Sequence, residues 1–289
     1  MSPMHRLREI LGDHPLAAFV ILSYAISWSI MPLLGGLLGV GPFLAALVVL
    51  LAKDGPADLR QLLRRMIQWR VGGRWYAVAL LLPAAVAGLA AVGAVALGAD
   101  APTTAQLSLW TQVPVTFAFV LIIPLLGPWE EPGFRGFALT RLRAHGSAVR
   151  AAAVIGAIHV GWHLPLFLTG DIPVADAVGV FAVSFVLAWL VIGAGGSVLL
   201  AMIMHAANNA ISGDFVSPMF EGSDAALFGW IGAAVWSAIA LIIVLRTGRE
   251  LGGRPKRNRA SADLDSRSAA ARASVSSLRY EAVRLVVIR

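Results

Sequence analysis

Apolar runs long enough to cross a lipid bilayer limit the fold of this chain more than any other feature. Runs of about this length and composition are typical of membrane helices, allowing for tilt. Eight of them are predicted, at about residues 16–34, 41–52, 75–98, 112–129, 149–169, 174–193, 196–212 and 227–245. The sequence therefore predicts an all-α fold, a polytopic membrane helix bundle of about eight transmembrane helices.

The composition agrees with an integral membrane protein. Hydrophobic residues make up 58% of the 289 residues and charged residues only 13%, with a mean hydropathy of +0.78. Soluble domains average about 45–50% apolar and about 25% charged residues. The chain has no cysteine, which excludes disulfides, thiolate metal sites and a cysteine nucleophile. The polar start of the chain and the missing small-residue cleavage signature favour a first membrane helix over a removed signal peptide.

The charged residues alternate in sign from one loop to the next. The stretches that carry lysine and arginine are residues 6–8, 53–74, 135–150 and 246–289, and the loops with acidic residues alone are at 100, 171–176 and 214–224. Because cytoplasmic loops are enriched in basic residues, this pattern predicts a multi-pass cell-membrane protein with both termini cytoplasmic. The net charge of +7 is explained by this topology, and no nucleic acid partner is expected.

The domain organisation follows from the same pattern. Residues 1–246 are predicted to form the transmembrane bundle, with the polar motifs concentrated at about 120–212. Residues 247–289 are rich in Arg, Ser, Gly and Ala, which predicts a basic, disordered cytoplasmic tail in contact with anionic headgroups.

The stretch "PWEEPGFRGF" places three charges at the end of the fourth apolar run. Pro132 suits the first turn of a new helix, and Glu131 and Arg135 have the spacing of an ion pair on one helical face. Glu130 is then less well paired and is a candidate general base. An interfacial charge cluster at a cytoplasmic loop is the alternative interpretation.

Two further polar pairs lie inside apolar runs at a spacing of four residues. His159 and His163 occur in the fifth run, and His205 and Asn209 occur in the seventh. Histidine pairs suggest metal ligands or acid–base partners, and an imidazole with an amide can stabilise an oxyanion. Hydrogen bonding between packed membrane helices is the alternative role for each. Since ionisable groups inside a membrane are costly, three such groups in separate runs favour a common hydrophilic site.

The three motifs together resemble those of the CPBP family. These are intramembrane glutamic endopeptidases related to the CAAX prenyl protease type 2 and to the bacteriocin-processing and immunity (Abi) proteins. The resemblance rests on "EEPGFRGFALTRL", on "GWHLPLF" and on a His-x-x-x-Asn motif, in this order, and it covers about residues 120–212. Each motif alone is weak, whereas the combination is specific.

The resemblance implies a proteolytic site on this chain. Glu130 would be the catalytic carboxylate and would activate a water molecule with the help of His163. His205 and Asn209 would form the oxyanion hole for the tetrahedral intermediate. No cofactor and no metal are implied. The substrate would be a membrane-associated protein or peptide, with a prenylated CAAX-type protein as one option, although no prenyl pocket can be identified in the sequence.

The resemblance assigns supporting roles to Glu131 and Arg135. Phe134 stands where the family often has tryptophan, and the second motif is often written Phe-x-x-x-His. The "WHLPLF" context favours His163 as the histidine of this motif, so that His159 occupies the phenylalanine position as an auxiliary residue. The assignment of this motif to His159 itself stays open.

Two other classes of function are compatible with the same residues. Two histidines and a carboxylate can hold zinc in a metal-dependent hydrolase, although the chain has no His-Glu-x-x-His motif. A non-catalytic immunity or scaffold protein, or a transporter with a proton relay, would also use buried polar groups.

Overall fold

The structure is a computed structural model that describes residues 13–253, and every regular element in this range is a helix. The α-helices are α1 Pro15–Ser29, α2 Met31–Leu34, α3 Gly41–Val49, α4 Pro56–Met66, α5 Gly73–Ala96, α6 Thr104–Ser108, α7 Val113–Ile122, α8 Leu139–His145, α9 Ala148–Trp162, α10 Leu164–Thr169, α11 Ala175–Gly193, α12 Val198–Asn208 and α13 Gly222–Thr247. The π-helical segments are Leu50–Asp54, Pro132–Ala138 and Asn209–Val216, and the 3-10 segments are Leu109–Gln112, Gly127–Glu130 and Ser217–Met219. The all-α prediction is confirmed, and most of the predicted tail lies outside the described residues.

Five segments of residues 13–253 are long and apolar enough to cross a membrane. They are Pro15–Leu33, Gly73–Ala96, Thr104–Glu130, Ala175–Gly193 and Gly222–Thr247. Large apolar side chains on them, such as Leu81 and Val92, are more than half exposed, as expected for surfaces that contact lipid. The chain is therefore a multi-pass membrane protein.

The other three predicted runs contain shorter helices, α3, α9 and α12. The fifth run was predicted to be one helix, but α9 ends at Trp162 and α10 begins at Leu164, so that His163 lies at a break. Proline favours the first turn of a helix and disfavours its interior, and Pro165 stands in the first turn of α10. α12 likewise passes into a π-helix at Asn209. Polar and proline residues thus shorten the helices that carry the motifs.

The helices pack through small residues. α11 packs against α9 and α13, α5 packs against α12 and α13, and α1 packs against α3. Buried alanines such as Ala182, Ala188 and Ala201 lie in the main apolar core. Small side chains allow the close helix approach on which packing inside a membrane depends.

The first helix supports the end of α9 through hydrogen bonds. Tyr24 Oη donates to the carbonyl oxygen of Ile158 at 2.5 Å, and Trp28 Nε1 donates to that of Trp162 at 2.9 Å. The last carbonyls of a helix have no partner within it, and Trp162 is the last residue of α9. α1 therefore positions the end of the helix that carries His159.

Gly133 is the point of closest contact between the π-helical segment Pro132–Ala138 and α3. A β-carbon at Gly133 would lie only 2.5 Å from the carbonyl carbon and the carbonyl oxygen of Pro42. The opposing atoms are backbone, so they cannot rotate away. Glycine at this position is required for the two elements to pack.

We predict that Gly133→Ala lowers the free energy of unfolding by about 1–3 kcal/mol, the usual cost of overpacking. The measurement is the thermal unfolding midpoint of the purified protein in detergent. Gly88→Ala is the matched control, because the space around Gly88 in α5 is open and alanine is favoured in a helix by about 0.5–1 kcal/mol. Equal midpoints for the two variants would contradict the packing argument.

Candidate active site

Two short irregular helices carry the first motif. α7 ends at Ile122, and Ile123 is extended with φ −78° and ψ 116°, as expected for a residue before proline. The chain then forms the 3-10 segment Gly127–Glu130 and the π-helical segment Pro132–Ala138, with Pro132 in its first turn as predicted. π-helical turns are frequent at functional sites. Irregular backbone at membrane depth is tolerated only inside protein or along a cavity.

The charged residues of this motif are buried. Glu130, Glu131 and Arg135 are each no more than 1% exposed. The three side chains therefore lie inside the protein and are not exposed at a loop. Buried charges are unfavourable unless they are paired and hydrogen-bonded, so the partners of these three residues define the site.

Arg135 compensates Glu131 as predicted. Its Nε lies 3.2 Å from Oε2 of Glu131, and its Nη1 donates to Oε1 at 3.3 Å. Nη2 of Arg135 donates to Ser184 Oγ at 3.1 Å. Sequence reasoning missed Ser184, because a single serine in the apolar helix α11 carries no signal of a polar partner. Ser184 fixes the orientation of the guanidinium group.

Glu130 contacts two histidine rings. Its Oε1 lies 2.8 Å from Nε2 of His159 and 3.3 Å from Nδ1 of His205. Neither Oε1 of Glu130 nor Nε2 of His159 has a hydrogen-bond partner within the described residues, so the 2.8 Å approach is close but poorly directed for a hydrogen bond. The carboxylate thus lacks a cation of its own and retains an acceptor oxygen for another donor.

His163 lies beside this contact. Its Nδ1 donates to the carbonyl oxygen of His159 at 3.0 Å, and the two rings are 4.9 Å apart between centroids. One donor atom each of Glu130, His159 and His163 lies within 4.8 Å of the others. The sequence interpretation favoured His163 as the partner of Glu130, whereas His159 makes the direct contact here. Both rings face the carboxylate.

His205 and Asn209 both lie beside Gly127. His205 Nδ1 donates to Oε1 of Glu131 at 2.8 Å, so its Nε2 points elsewhere. A β-carbon at Gly127 would lie 2.9 Å from Nε2 of His205 and 3.1 Å from Nδ2 of Asn209. The two nitrogens therefore converge on the backbone of Gly127. Sequence reasoning missed Gly127, because a glycine before a proline normally indicates only a turn.

The site is partly open at three side chains of the second and third motifs. The side chain of His205 is 17% exposed, whereas that of Glu130 is 1% exposed. His163 and Asn209 are also partly exposed. The site thus consists of the buried carboxylate of Glu130 and three partly exposed side chains that carry nitrogen atoms.

Within residues 13–253, two groups of three side chains bring their donor atoms close enough together to hold a metal ion. They are Glu130 with His159 and His163, and Glu130 with Glu131 and His205. Arg135 is paired with Glu131, and a fixed cation beside a carboxylate disfavours a second cation on it. The group of Glu130, His159 and His163 is therefore the better candidate for a metal site.

Comparison with known proteins supports the motif assignment. The family model "Rce1-like: Type II CAAX prenyl endopeptidase Rce1-like" matches residues 109–211. This segment contains all three motifs, and its range agrees with the resemblance at about 120–212. Over this segment the chain is similar to the type II CAAX prenyl endopeptidases, in agreement with the resemblance seen in its sequence. No curated protein matches the chain significantly.

We predict that Glu131→Gln lowers the free energy of unfolding by about 3–5 kcal/mol, because Arg135 is left as a buried charge without its partner. The measurement is the unfolding midpoint in detergent. Glu250→Gln is the matched control: Glu250 pairs with Arg249 at 3.8 Å, and the Arg249 side chain is 83% exposed. The expected loss there is about 0–1 kcal/mol. Similar losses in both variants would refute the structural role of the buried pair.

Proposed function

We propose that this protein is an intramembrane endopeptidase that hydrolyses a peptide bond of a membrane-associated protein or peptide with a glutamate-activated water. The family match supports a CAAX-type membrane protease in general. The observation that carries the glutamate mechanism is Oε1 of Glu130, which is buried, has no hydrogen-bond partner within residues 13–253 and lies between two histidine rings.

Glu130 acts as the general base in this proposal. A general base must lie within hydrogen-bond reach of the proton that it removes. A water bound between Oε1 of Glu130 and the ring nitrogens of His159 and His163 can give one proton to the carboxylate. The oxygen that remains attacks the carbonyl carbon of the substrate. His163 keeps its Nδ1 proton on the His159 carbonyl, so its Nε2 is the nitrogen available for the water.

His205 and Asn209 form the oxyanion hole. Nε2 of His205 and Nδ2 of Asn209 converge beside Gly127, and donors fixed in this way stabilise the negative charge that develops on the substrate oxygen. Nδ1 of His205 already donates to Glu131, so donation from Nε2 requires an imidazolium ring. The charges of Glu130, Glu131, Arg135 and His205 then sum to zero in the buried site.

The final step returns the proton to the leaving group. The tetrahedral intermediate collapses as its carbon–nitrogen bond breaks, and the proton held on Glu130 passes to the departing amine. The products are a carboxylic acid, which keeps the second proton of the water, and an amine, and Glu130 is again a carboxylate that can accept a proton from the next water. No covalent intermediate with the protein is required.

The substrate side of the proposal has two parts. In this proposal Glu130 lies near the cytoplasmic face of the cell membrane and both termini are cytoplasmic, which the positions of the basic loops support. The family description points to prenylated C-terminal motifs as one substrate class. Cleavage assays on membrane peptides with and without a lipidated cysteine distinguish a prenyl-dependent enzyme from one that accepts unmodified peptides.

We predict that Glu130→Gln abolishes turnover while the protein still inserts and folds, because the amide keeps the shape of the carboxylate and cannot accept the proton. Turnover is measured with the peptide that the native protein cleaves best, and folding is measured by the thermal midpoint. An immunity, scaffold or transport role is the competing hypothesis. It is supported if neither form cleaves any peptide and Glu130→Gln retains the full biological activity.

We predict that Asn209→Ala lowers kcat by about 10²–10³-fold with little change in KM, the usual effect of losing one oxyanion donor. Asn208→Ala is the matched control, because it removes an identical amide from the preceding residue, the last one of α12. A similar fall in kcat for both variants would show that Asn209 has no specific role.

Metal-dependent hydrolysis is the second candidate function. It is favoured by one observation, the proximity of donor atoms from Glu130, His159 and His163. A strong chelator separates the two candidates. Turnover that survives chelation supports the glutamate mechanism, and turnover that is lost and then restored by added zinc supports the metal mechanism.

A further inference from the structure

The helix α4 has two faces with different chemistry. Leu62 is 4% exposed and contacts Gly136 of the catalytic π-helical segment. Arg60 and Arg64 are exposed. α4 follows the short helix α3 and precedes the spanning helix α5, so it lies at one end of the bundle.

Arg65 joins the inner face of α4 to the candidate active site. Its Nη1 donates to the carbonyl oxygen of Gly136 at 2.9 Å, and its Nη2 donates to that of Arg135 at 3.4 Å. Its Nε donates to the carbonyl oxygen of Gly196 at 2.7 Å. Gly196 lies in the turn before α12, the helix that carries His205. The guanidinium group of Arg65 thus connects the segment that carries Arg135 with the turn that precedes α12, and it fixes their relative position.

A second contact strengthens this junction. Ser197 Oγ donates to the carbonyl oxygen of Gln68 at 2.8 Å, and Nε2 of Gln68 donates to the carbonyl oxygen of Gly195 at 3.4 Å. The residues after α4 are therefore attached to the same turn. Because hydrogen bonds connect α4 directly to the segment Pro132–Ala138 and to the turn before α12, a displacement of α4 would move both elements.

The outer face of this region combines exposed cations with exposed apolar side chains. Ile67 is 72% exposed and Trp69 is 62% exposed, although they lie outside the membrane-spanning helices. Arg70 stacks on the Trp69 ring, with its Cζ 5.0 Å from the ring centroid. Across residues 53–74 the sequence has six cations and two carboxylates. Cations beside exposed tryptophan and aliphatic residues are typical of a segment that lies in the headgroup region of an anionic membrane.

We propose that residues 53–74 form a binding surface for anionic phospholipid headgroups and that Arg65 couples this surface to the catalytic motifs. Headgroup phosphates contact Arg60, Arg64 and Arg70, and the apolar side chains enter the acyl boundary. Arg65 is a positioning residue, since it touches backbone behind the site and not the reacting atoms. The coupling rests on the proposed proteolytic function, whereas the lipid binding does not.

The lipid binding is tested with the full chain in phosphatidylcholine vesicles that contain brominated phosphatidylglycerol or brominated phosphatidylcholine. Quenching of tryptophan fluorescence is measured for the native chain and for the Trp69→Phe variant, and the difference between the two is the quenching of Trp69. Stronger quenching by phosphatidylglycerol is expected.

The double variant Arg60→Gln/Arg64→Gln should lower this selectivity on the order of tenfold or more, as expected for two basic residues at a charged surface. Arg150→Gln/Arg246→Gln removes the same charge elsewhere and should leave it unchanged. Equal quenching by both lipids, or an equal effect of the control, overturns the binding surface.

The coupling is tested by turnover in the same vesicles. The native chain should show a kcat that rises with the phosphatidylglycerol content. In the Arg65→Lys variant the lysine side chain has no planar guanidinium group and cannot donate to the same three carbonyls. Its kcat should fall on the order of tenfold or more and should no longer depend on the lipid. KM and the quenching of Trp69 should be unchanged. A kcat independent of phosphatidylglycerol, or an Arg65→Lys variant with native kcat, overturns the coupling. A chain without turnover on any peptide refutes the proposed function and leaves the quenching result to decide on lipid binding.

Discussion

The buried ion pair between Glu131 and Arg135 is the interaction on which the candidate site depends. A single carboxylate inside a membrane bundle is costly, and two adjacent carboxylates also repel each other. Arg135 pairs with Glu131 and is itself held by Ser184, and His205 donates to the same carboxylate. These contacts neutralise one carboxylate, so the other can remain buried without a fixed cation of its own.

The site also depends on helices that are not regular. Glu130 is the last residue of a 3-10 segment, and Glu131 lies between this segment and a π-helical one. His163 lies between α9 and α10, and Asn209 begins another π-helical segment. A regular α-helix satisfies all of its interior backbone groups and offers few sites for a reactant. The interruptions expose polar groups inside the bundle, and glycine at position 127 or 133 permits the close contacts that they require. The long helices thus form the stable bundle, and the short interrupted helices carry the polar residues of the candidate site.

Most of the architecture could be predicted from the sequence, and the details of the site could not. Apolar runs and charge alternation indicated a membrane bundle, because lipid imposes strong requirements on composition. The spacing of Glu131 and Arg135 was sufficient for their ion pair. The sequence could not show that His159 lies nearer to Glu130 than His163 does, since both occupy the same turn and only packing decides their orientation. Ser184 and Arg65 act across long sequence separations, so no local pattern identifies them. The number of full-length spans was also lower than the number of apolar runs, because proline and polar residues end helices inside those runs.

The support that α1 gives to α9 has a consequence for biogenesis. Tyr24 and Trp28 belong to α1, and their acceptors are more than a hundred residues further along the chain. The third motif follows later still, in α12. The hydrogen-bonded arrangement around Glu130 can therefore form only after most of the bundle has been inserted. Until α12 has been synthesised, Glu130 and Glu131 lack their contacts with His205, so the buried site is completed late in the synthesis of the chain.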